Sequence, residues 1–378
     1  MNERLAARVQ SRLDAIEKSG LRRTLRAPSG IDLSSNDYLG LANDLRVTRA
    51  FAAAVEREGA GSTGSRLLRG DRDCFAAIEN RFAHFKGTDR SLYFSSGYLA
   101  NLAVLTTFAE PGDVIVSDER NHASLIDGIR LSPARREIVA HNDVAAVRRS
   151  LEVRGNGERF LVVESLFSMD GDEAPLVEYA EICAATGAHL IVDEAHAVGV
   201  YGARGSGLVE ERGVGDAVFL SVNTAGKALG VAGAFVAGAA WAIDYLVQRA
   251  RPFIFSTAPP PALAAALDAS LDAIEQEPQR RAVLRERAKR LRIRLVTAGI
   301  PVSAGSSHIL PIIIGDNDAA VAVAEAMQAA GFDVRAIRPP TVPPDTARLR
   351  ISVNVNLTDD VIERFARSLQ GALAASPT

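Results

Sequence analysis

The sequence predicts an α/β protein: a large domain on a mainly parallel sheet, then a smaller α+β domain. Three observations predict it. Up to about residue 270, short β-rich runs alternate with helical ones. Most of those runs are continuously apolar, as strands buried on both faces of a parallel sheet are. Beyond that point the pattern changes to the strands ILPIIIG, FDVRAIR and ARLRISV, with helices around 317–330 and 359–374. A chain of 378 residues exceeds one typical core, so two packed units and an arm are expected. The linear division is an N-terminal helix and arm (1–38), a large domain (39–270) and a small domain (271–378).

In chain order, MNERLAARVQSRLDAIEKSG reads as a helix over about 2–19, and IDLSSNDYLGL as a turn-rich stretch with little periodicity. TRAFAAAVERE is helical. The strands of the large domain are SLYFSS, VIVSD, FLVVES, HLIVDEAH, VFLSV and AGAFVAG. Three of them end in an acid, Asp118, Glu164 and Asp193, and ligands of open α/β sheets bind beyond the C-terminal strand ends. SLYFSSGYLAN is a strand running into a helix that begins near Gly97. Its exposed N–H groups and positive dipole end suit a phosphate, although the same arrangement also describes ordinary packing. An Ala-rich helix and a charged one, EQEPQRRAVLRERAKRLRIRL, lead into the small domain.

Hydrophobic content is 47%, charged content 24% and net charge -3, which gives no electrostatic reason to expect nucleic acid or an anionic membrane as partner. No apolar run reaches the ~18 residues of a membrane span. The arginine-rich N-terminus carries Glu3, Asp14 and Glu17, against a transit peptide, and lacks a signal-peptide core. Cys74 and Cys183 lie far apart in helical patterns, so core packing in a reducing compartment is expected, with cytoplasm as the location and no metal site.

Two motifs mislead. GAGSTG at 59–64 has the dinucleotide spacing, but a helix precedes it where the fingerprint requires a strand. DEAH at 193–196 has no accompanying phosphate-binding P-loop. Of the histidines, His84, His141, His189 and His308 are expected to be structural or on the surface, and no pair has the close helical spacing of a zinc site.

Lysine is the sharpest signal. Only four of the 43 Lys+Arg residues are lysine: Lys18, Lys86, Lys227 and Lys289. Arginine stays protonated, whereas a desolvated lysine can lose its proton and attack a carbonyl. Lys18 and Lys289 sit among charges. Lys86, in HFKG, reads as a helix C-terminal cation before a terminating glycine. Lys227, in SVNTAGKALGVAGAF, has no other charge nearby, as a Schiff-base lysine would. A pyridoxal phosphate enzyme also needs a carboxylate at the pyridine nitrogen, a group covering the ring and donors for the phosphate. Asp193, at the end of HLIVD, can supply the carboxylate.

NHASLIDG, ESLFSMDGD, VDEAHAVGVYGARGSG and TAGKALG, in that order, resemble the α-oxoamine synthases, a resemblance running from about Leu21 to the C-terminus. These are fold-type I, aminotransferase-like pyridoxal phosphate enzymes that condense an amino acid with an acyl thioester and release carbon dioxide. DLSSNDYLGL and AIRPPTVPPDTARLRIS look most like the members that join L-alanine to a pimeloyl thioester; glycine with an acetyl thioester is the alternative. The resemblance implies that Lys227 is the Schiff-base lysine and acid/base, that Asp193 pairs with the pyridine nitrogen, and that His196 lies near the phenolic oxygen. It implies that His122 stacks on the ring, that Ser168 contacts the same region, and that Gly97, Tyr98 and Thr224 hold the cofactor.

Asn36 and Arg350 would hold the amino-acid carboxylate, and Arg22 and Thr341 fall where the family binds substrate. Arg22 is also readable as an arm charge like Arg23, and Ser168 as a turn residue. Arg348 and Arg350 share a strand face, so motif position selects Arg350. Ser256 and Thr257, in FIFSTAPP, would reach the phosphate of a neighbouring subunit, implying a homodimer with shared sites. Read locally, they follow an apolar strand and cap a helix before Pro259–Pro261. The acyl carrier is coenzyme A or acyl carrier protein, and the sequence leaves both open.

Overall fold

Twelve short strands form in a computed structural model that describes residues 3–153, 155–303 and 305–375. They are β1 (Ile31–Asp32), β2 (Arg90–Phe94), β3 (Val114–Asp118), β4 (Arg135–Val139), β5 (Arg159–Glu164), β6 (His189–Asp193), β7 (Val218–Thr224), β8 (Ala234–Gly238), β9 (Ile309–Gly315), β10 (Phe332–Asp333), β11 (Ala336–Ile337) and β12 (Ala347–Ser352). By its internal contacts the chain forms two units. The large one joins Asn36–Ser168 to Asp172–Val283, and the small one joins the arm up to Ser35, Met169–Gly171 and the chain from Leu284 onward. The linear reading set the arm apart and ended the large domain at 270; the contacts group the arm with the C-terminal segment and carry the large unit to Val283.

In the large unit seven strands form one sheet in the order β2-β8-β7-β6-β5-β3-β4. β8 runs antiparallel to both neighbours and the other pairs are parallel. β5 to β8 are buried along nearly their whole length, which is why they read as apolar runs. β4, RREIV, carries no such signal, because it is an edge strand with mostly exposed or half-buried side chains. Charges on such an edge discourage pairing with another chain. One face of the sheet packs Phe94, Phe160, Ile191, Leu220 and Val236 against Val104, Leu125 and Ile243 of flanking helices.

The first five helices are α1 (Glu3–Lys18), α2 (Leu45–Glu58), α3 (Asp73–Lys86), α4 (Gly97–Phe108) and α5 (Ala123–Leu131). α3 ends where Gly87 turns left-handed, with φ +71°, and its N–H reaches back to the carbonyls of Ala83 and His84. Lys86 is the last helical residue, as expected, yet its side chain is buried rather than solvated, paired with Glu194 and donating to the Ser206 carbonyl. α2 runs directly into GAGSTG, so no strand precedes those glycines.

FIFSTAPP departs from the local reading. Helix Ala240–Arg249 precedes it and helix Arg251–Ile254 runs into its first two residues, where an apolar strand was expected. The helix Ala262–Gln276 starts at Pro261 without a side-chain cap, so Ser256 and Thr257 do not cap it. Apolar period alone did not separate buried helix from strand there.

The small unit pairs β11, β12 and β9 as an antiparallel sheet, with helices Asn317–Ala329 and Asp359–Ala375. FDVRAIR splits into two short strands, β10 and β11. The arm enters this unit through β1, which pairs in parallel with β10 in the register Ile31↔Phe332.

Candidate active site

At the C-terminal edge of the large sheet, β5 and β6 place Glu164 beside Asp193 as register partners. Asp193 is 5% exposed, and both of its oxygens are engaged. Oδ1 accepts from the Ala195 N–H at 2.8 Å and Oδ2 from the Asn101 side-chain amide at 2.7 Å. The same Asn101 nitrogen donates to the Ser124 hydroxyl, which lies 2.8 Å from Nδ1 of His122. His122 is the N-cap of α5, and its Nδ1 accepts from the Ser124 N–H. That bond makes Nδ1 an acceptor and leaves Nε2 to carry the proton of the neutral ring. Packing around the ring lowers the His122 pKa, Lys227 adds to the effect and Asp193 opposes it.

Lys227 sits in the tight connection between β7 and β8, closed by bonds from the Ala225 N–H to the Gly233 carbonyl and from the Val231 N–H to the Ala225 carbonyl. Its Nζ is 2.9 Å from Nε2 of His196. Nδ1 of His196 is 2.7 Å from the hydroxyl of Tyr38, which also donates to Oδ1 of Asn36 at 2.8 Å. Thus DEAH, no helicase signature here, sends Asp193 toward Asn101, Glu194 toward Lys86 and His196 toward Lys227.

Glu164 was expected as a strand-end acid. Its Oε2 accepts the Ser168 N–H at 3.1 Å, and its Oε1 is buried with no hydrogen-bond partner. Burial pushes its pKa up and neighbouring Asp193 pushes it further, against Lys227 and backbone N–H groups. Asp118, the third strand-end acid, goes elsewhere. It accepts from His141, Asn142 and Arg120. His141 bridges Asp118 at 3.0 Å and Asp172 at 2.5 Å. Burial alone would lower its pKa, but the two carboxylates outweigh it and raise it to about 9.

A phosphate cradle fits beside this centre. Gly97 begins α4, and a Cβ there would lie 2.6 Å from Oγ1 of Thr224, so glycine keeps that space open. Ser96 caps the Leu99 N–H. The preceding N–H groups have no partners within the helix, which suits an anion. Tyr98 is 41% exposed and its hydroxyl bonds Asp127. Cradle, paired carboxylate and lysine are the donor set that pyridoxal phosphate requires.

Nine expected residues therefore belong to the large unit around this edge: Asn36, Gly97, Tyr98, His122, Ser168, Asp193, His196, Thr224 and Lys227. Ser256 and Thr257 are in the same unit and line a narrow cavity with Arg66, Tyr93 and Ser95. Arg22, Thr341 and Arg350 are in the small unit. Arg22 and Thr341 line a cleft of about 400 Å³ with Arg23, Arg26, Arg335 and Arg338. Arg348 pairs with Asp170 at 2.7 Å, and Arg350 donates to the Ser352 hydroxyl. Sequence reasoning missed Tyr38, Asn101 and Ser124. All three stood inside quoted motifs, NDYLGL, GYLAN and NHASLIDG, but nothing local marks their partners. Among the described residues no group of three or more potential ligands could hold a metal ion, and no helix is long and apolar enough to cross a membrane.

The chain matches the model of the family "Aminotransferase class I and II" over residues 28–369. It is 43% identical over 367 residues to a protein of Marinobacter nauticus named 8-amino-7-oxononanoate synthase, covering 93% of each chain. Among solved structures it resembles a serine palmitoyltransferase of S. paucimobilis holding a PLP–myriocin aldimine, with a TM-score of 0.91, 28% identity and 97% of each chain covered. It also resembles an 8-amino-7-oxononanoate synthase of Francisella tularensis, with a TM-score of 0.79, 29% identity, and 92% of this chain and 98% of that one covered.

Proposed function

The chain belongs to the aminotransferase class I and II family, and within it we propose that it is an acyltransferase that condenses L-alanine with a pimeloyl thioester. The products are 8-amino-7-oxononanoate, carbon dioxide and the free carrier thiol, in biotin biosynthesis. Its cofactor is pyridoxal phosphate. When bound, the cofactor supplies an aldehyde for the lysine and a ring that takes up the electron pair left by a departing proton or carboxylate. The observation that carries the reading is Lys227, 2.9 Å from an imidazole on the same sheet edge as Asp193, in a chain 43% identical to a named synthase.

Each residue then has a task. Lys227 removes the α-proton of alanine at Nζ and later returns one. Asp193 keeps the ring nitrogen protonated, and Asn101 and the Ala195 N–H hold its carboxylate in place. His122 covers the ring, and His196 holds the lysine. Gly97, Tyr98, Ser168 and Thr224 hold the cofactor. Asn36 and Arg350 take the amino-acid carboxylate, and Arg22 and Thr341 the acyl substrate.

The likeness to serine palmitoyltransferase is a second reading's support, and glycine C-acetyltransferase is a third member of the class. A product assay separates them: L-alanine, glycine and L-serine, each with pimeloyl, acetyl and palmitoyl thioesters. The expected result is turnover with alanine and the pimeloyl thioester; preference for another pair would replace the reading. Running the first pair with coenzyme A and with acyl carrier protein identifies the carrier. Shared sites in a homodimer are tested by mixing Lys227→Ala protein with a variant lacking the Ser256 and Thr257 hydroxyls. Once subunit exchange and impairment of both variants are shown, activity returns if the hydroxyls serve the neighbouring site, and stays absent if they serve their own.

A further inference from the structure

Tyr38 is fully buried, and its hydroxyl lies between Oδ1 of Asn36 at 2.8 Å and Nδ1 of His196 at 2.7 Å. The far side of that imidazole, Nε2, is 2.9 Å from Nζ of Lys227. A phenol has one proton to give, and an amide oxygen can only accept. With Oδ1 facing the phenol, Tyr38 must donate to Asn36. The phenol oxygen then accepts from His196, which carries its proton on Nδ1, and the Nε2 lone pair accepts from the lysine. Reversing the Asn36 amide reverses every bond. Its NH2 would donate to Tyr38, Tyr38 to Nδ1, and an Nε2–H would require a lysine already stripped of its proton. The direction of one half-buried amide is thereby tied to the proton state of a lysine across the site.

We propose that Tyr38 is a positioning residue that transmits this direction, holding His196 as its Nδ1–H tautomer and keeping the Asn36 NH2 turned away from the phenol, the orientation in which it can donate to an amino-acid carboxylate. The last clause rests on the function proposed above; the tautomer does not. The bond to Asn36 and the bond to His196 both run through this one hydroxyl.

The test begins with the full-length, cofactor-free protein labelled with ¹⁵N-histidine, the His196 signal being identified by its loss in His196→Gln. The expected spectrum has Nδ1 protonated; an Nε2-protonated ring overturns the proposal. Tyr38→Phe keeps the ring that packs 6.1 Å from His196, centroid to centroid, and removes only the hydroxyl. In that variant the His196 tautomer should change or become mixed. The KM for the amino acid in the loaded enzyme should rise about tenfold, while the KM for the acyl thioester holds. An unchanged tautomer in Tyr38→Phe overturns the proposal, and so does an equal rise in both KM values. Should Tyr38→Phe not fold, the wild-type spectrum decides alone. Absence of turnover with any amino acid would fail the functional reading and leave the spectrum to decide the tautomer.

Discussion

Two lysines of this chain are shielded from solvent, and their partners differ in kind. Lys86 has a side chain 3% exposed, paired with the wholly buried Glu194 and bonded to the Ser206 carbonyl. Lys227 is half-buried and faces an imidazole. A carboxylate in a low-dielectric setting fixes the ammonium form, because either charge alone is costly there. An imidazole and an amine can exchange roles as donor and acceptor. Lys86 is the more deeply buried of the two, so burial does not by itself mark a lysine for chemistry, and the imidazole beside Lys227 is the more telling difference. One tetrapeptide serves both, with Glu194 holding the first and His196 facing the second.

The comparison breaks most sharply at Lys227. Lys227→Ala and Lys227→Arg should both fold and lose at least ~10⁴-fold in turnover, since a guanidinium cannot form an imine. Borohydride reduction and peptide mapping of the loaded enzyme should label Lys227; label on Lys86 would reverse the assignment. Next in size is Asp193→Asn, expected to lower kcat by about 10³-fold, roughly 4 kcal/mol, with the melting temperature little changed. Near-normal turnover would transfer the role to Glu164, the buried carboxyl beside it.

Much of this was legible in the chain. Apolar runs mark the strands buried on both faces, and the lone lysine among small residues stands out in an arginine-rich composition. What escaped reading depends on distant partners. Lys86 gives a helix-end signal, while the acid that buries it stands over a hundred residues on, in DEAH. Tyr38 looks like a turn residue until folding brings it to His196. Edge strand β4 shows no alternation, because its exposed side makes no demand for apolar residues.

Two smaller effects sharpen the contrast. Lys86→Met should leave Glu194 buried without a counter-charge and cost about 3 kcal/mol or more in urea unfolding. Adding Glu194→Gln should recover a large part of that; strictly additive losses would show that the two are not coupled. Smaller still is the effect at His141, a histidine held by carboxylates as Lys86 is. Its folded pKa of about 9 lies above the ordinary value near 6.5. The stabilisation it brings is therefore complete below pH 6.5 and lost as pH rises through 9. Relative to His141→Gln, the native protein should lose about 1–2 kcal/mol over that window, the figure being discounted for partial solvation. A flat difference across the window would mean that the ring is not charged in the folded state.

The pairing of β1 with β10 bears on the order in which this protein is made. Ile31 leaves the ribosome long before its partner Phe332 is added. The large unit, complete by Val283, has the whole of its sheet available before that pairing can form. Closing so long a connection adds little to its entropic cost, which grows only logarithmically with length. Its price is waiting time, during which the arm stays unpaired. Nascent chains halted just after Val283 should thus protect the Lys227 hairpin from protease while the arm is still cut, and chains halted far enough beyond Asp333 to expose β10 should end the arm's sensitivity.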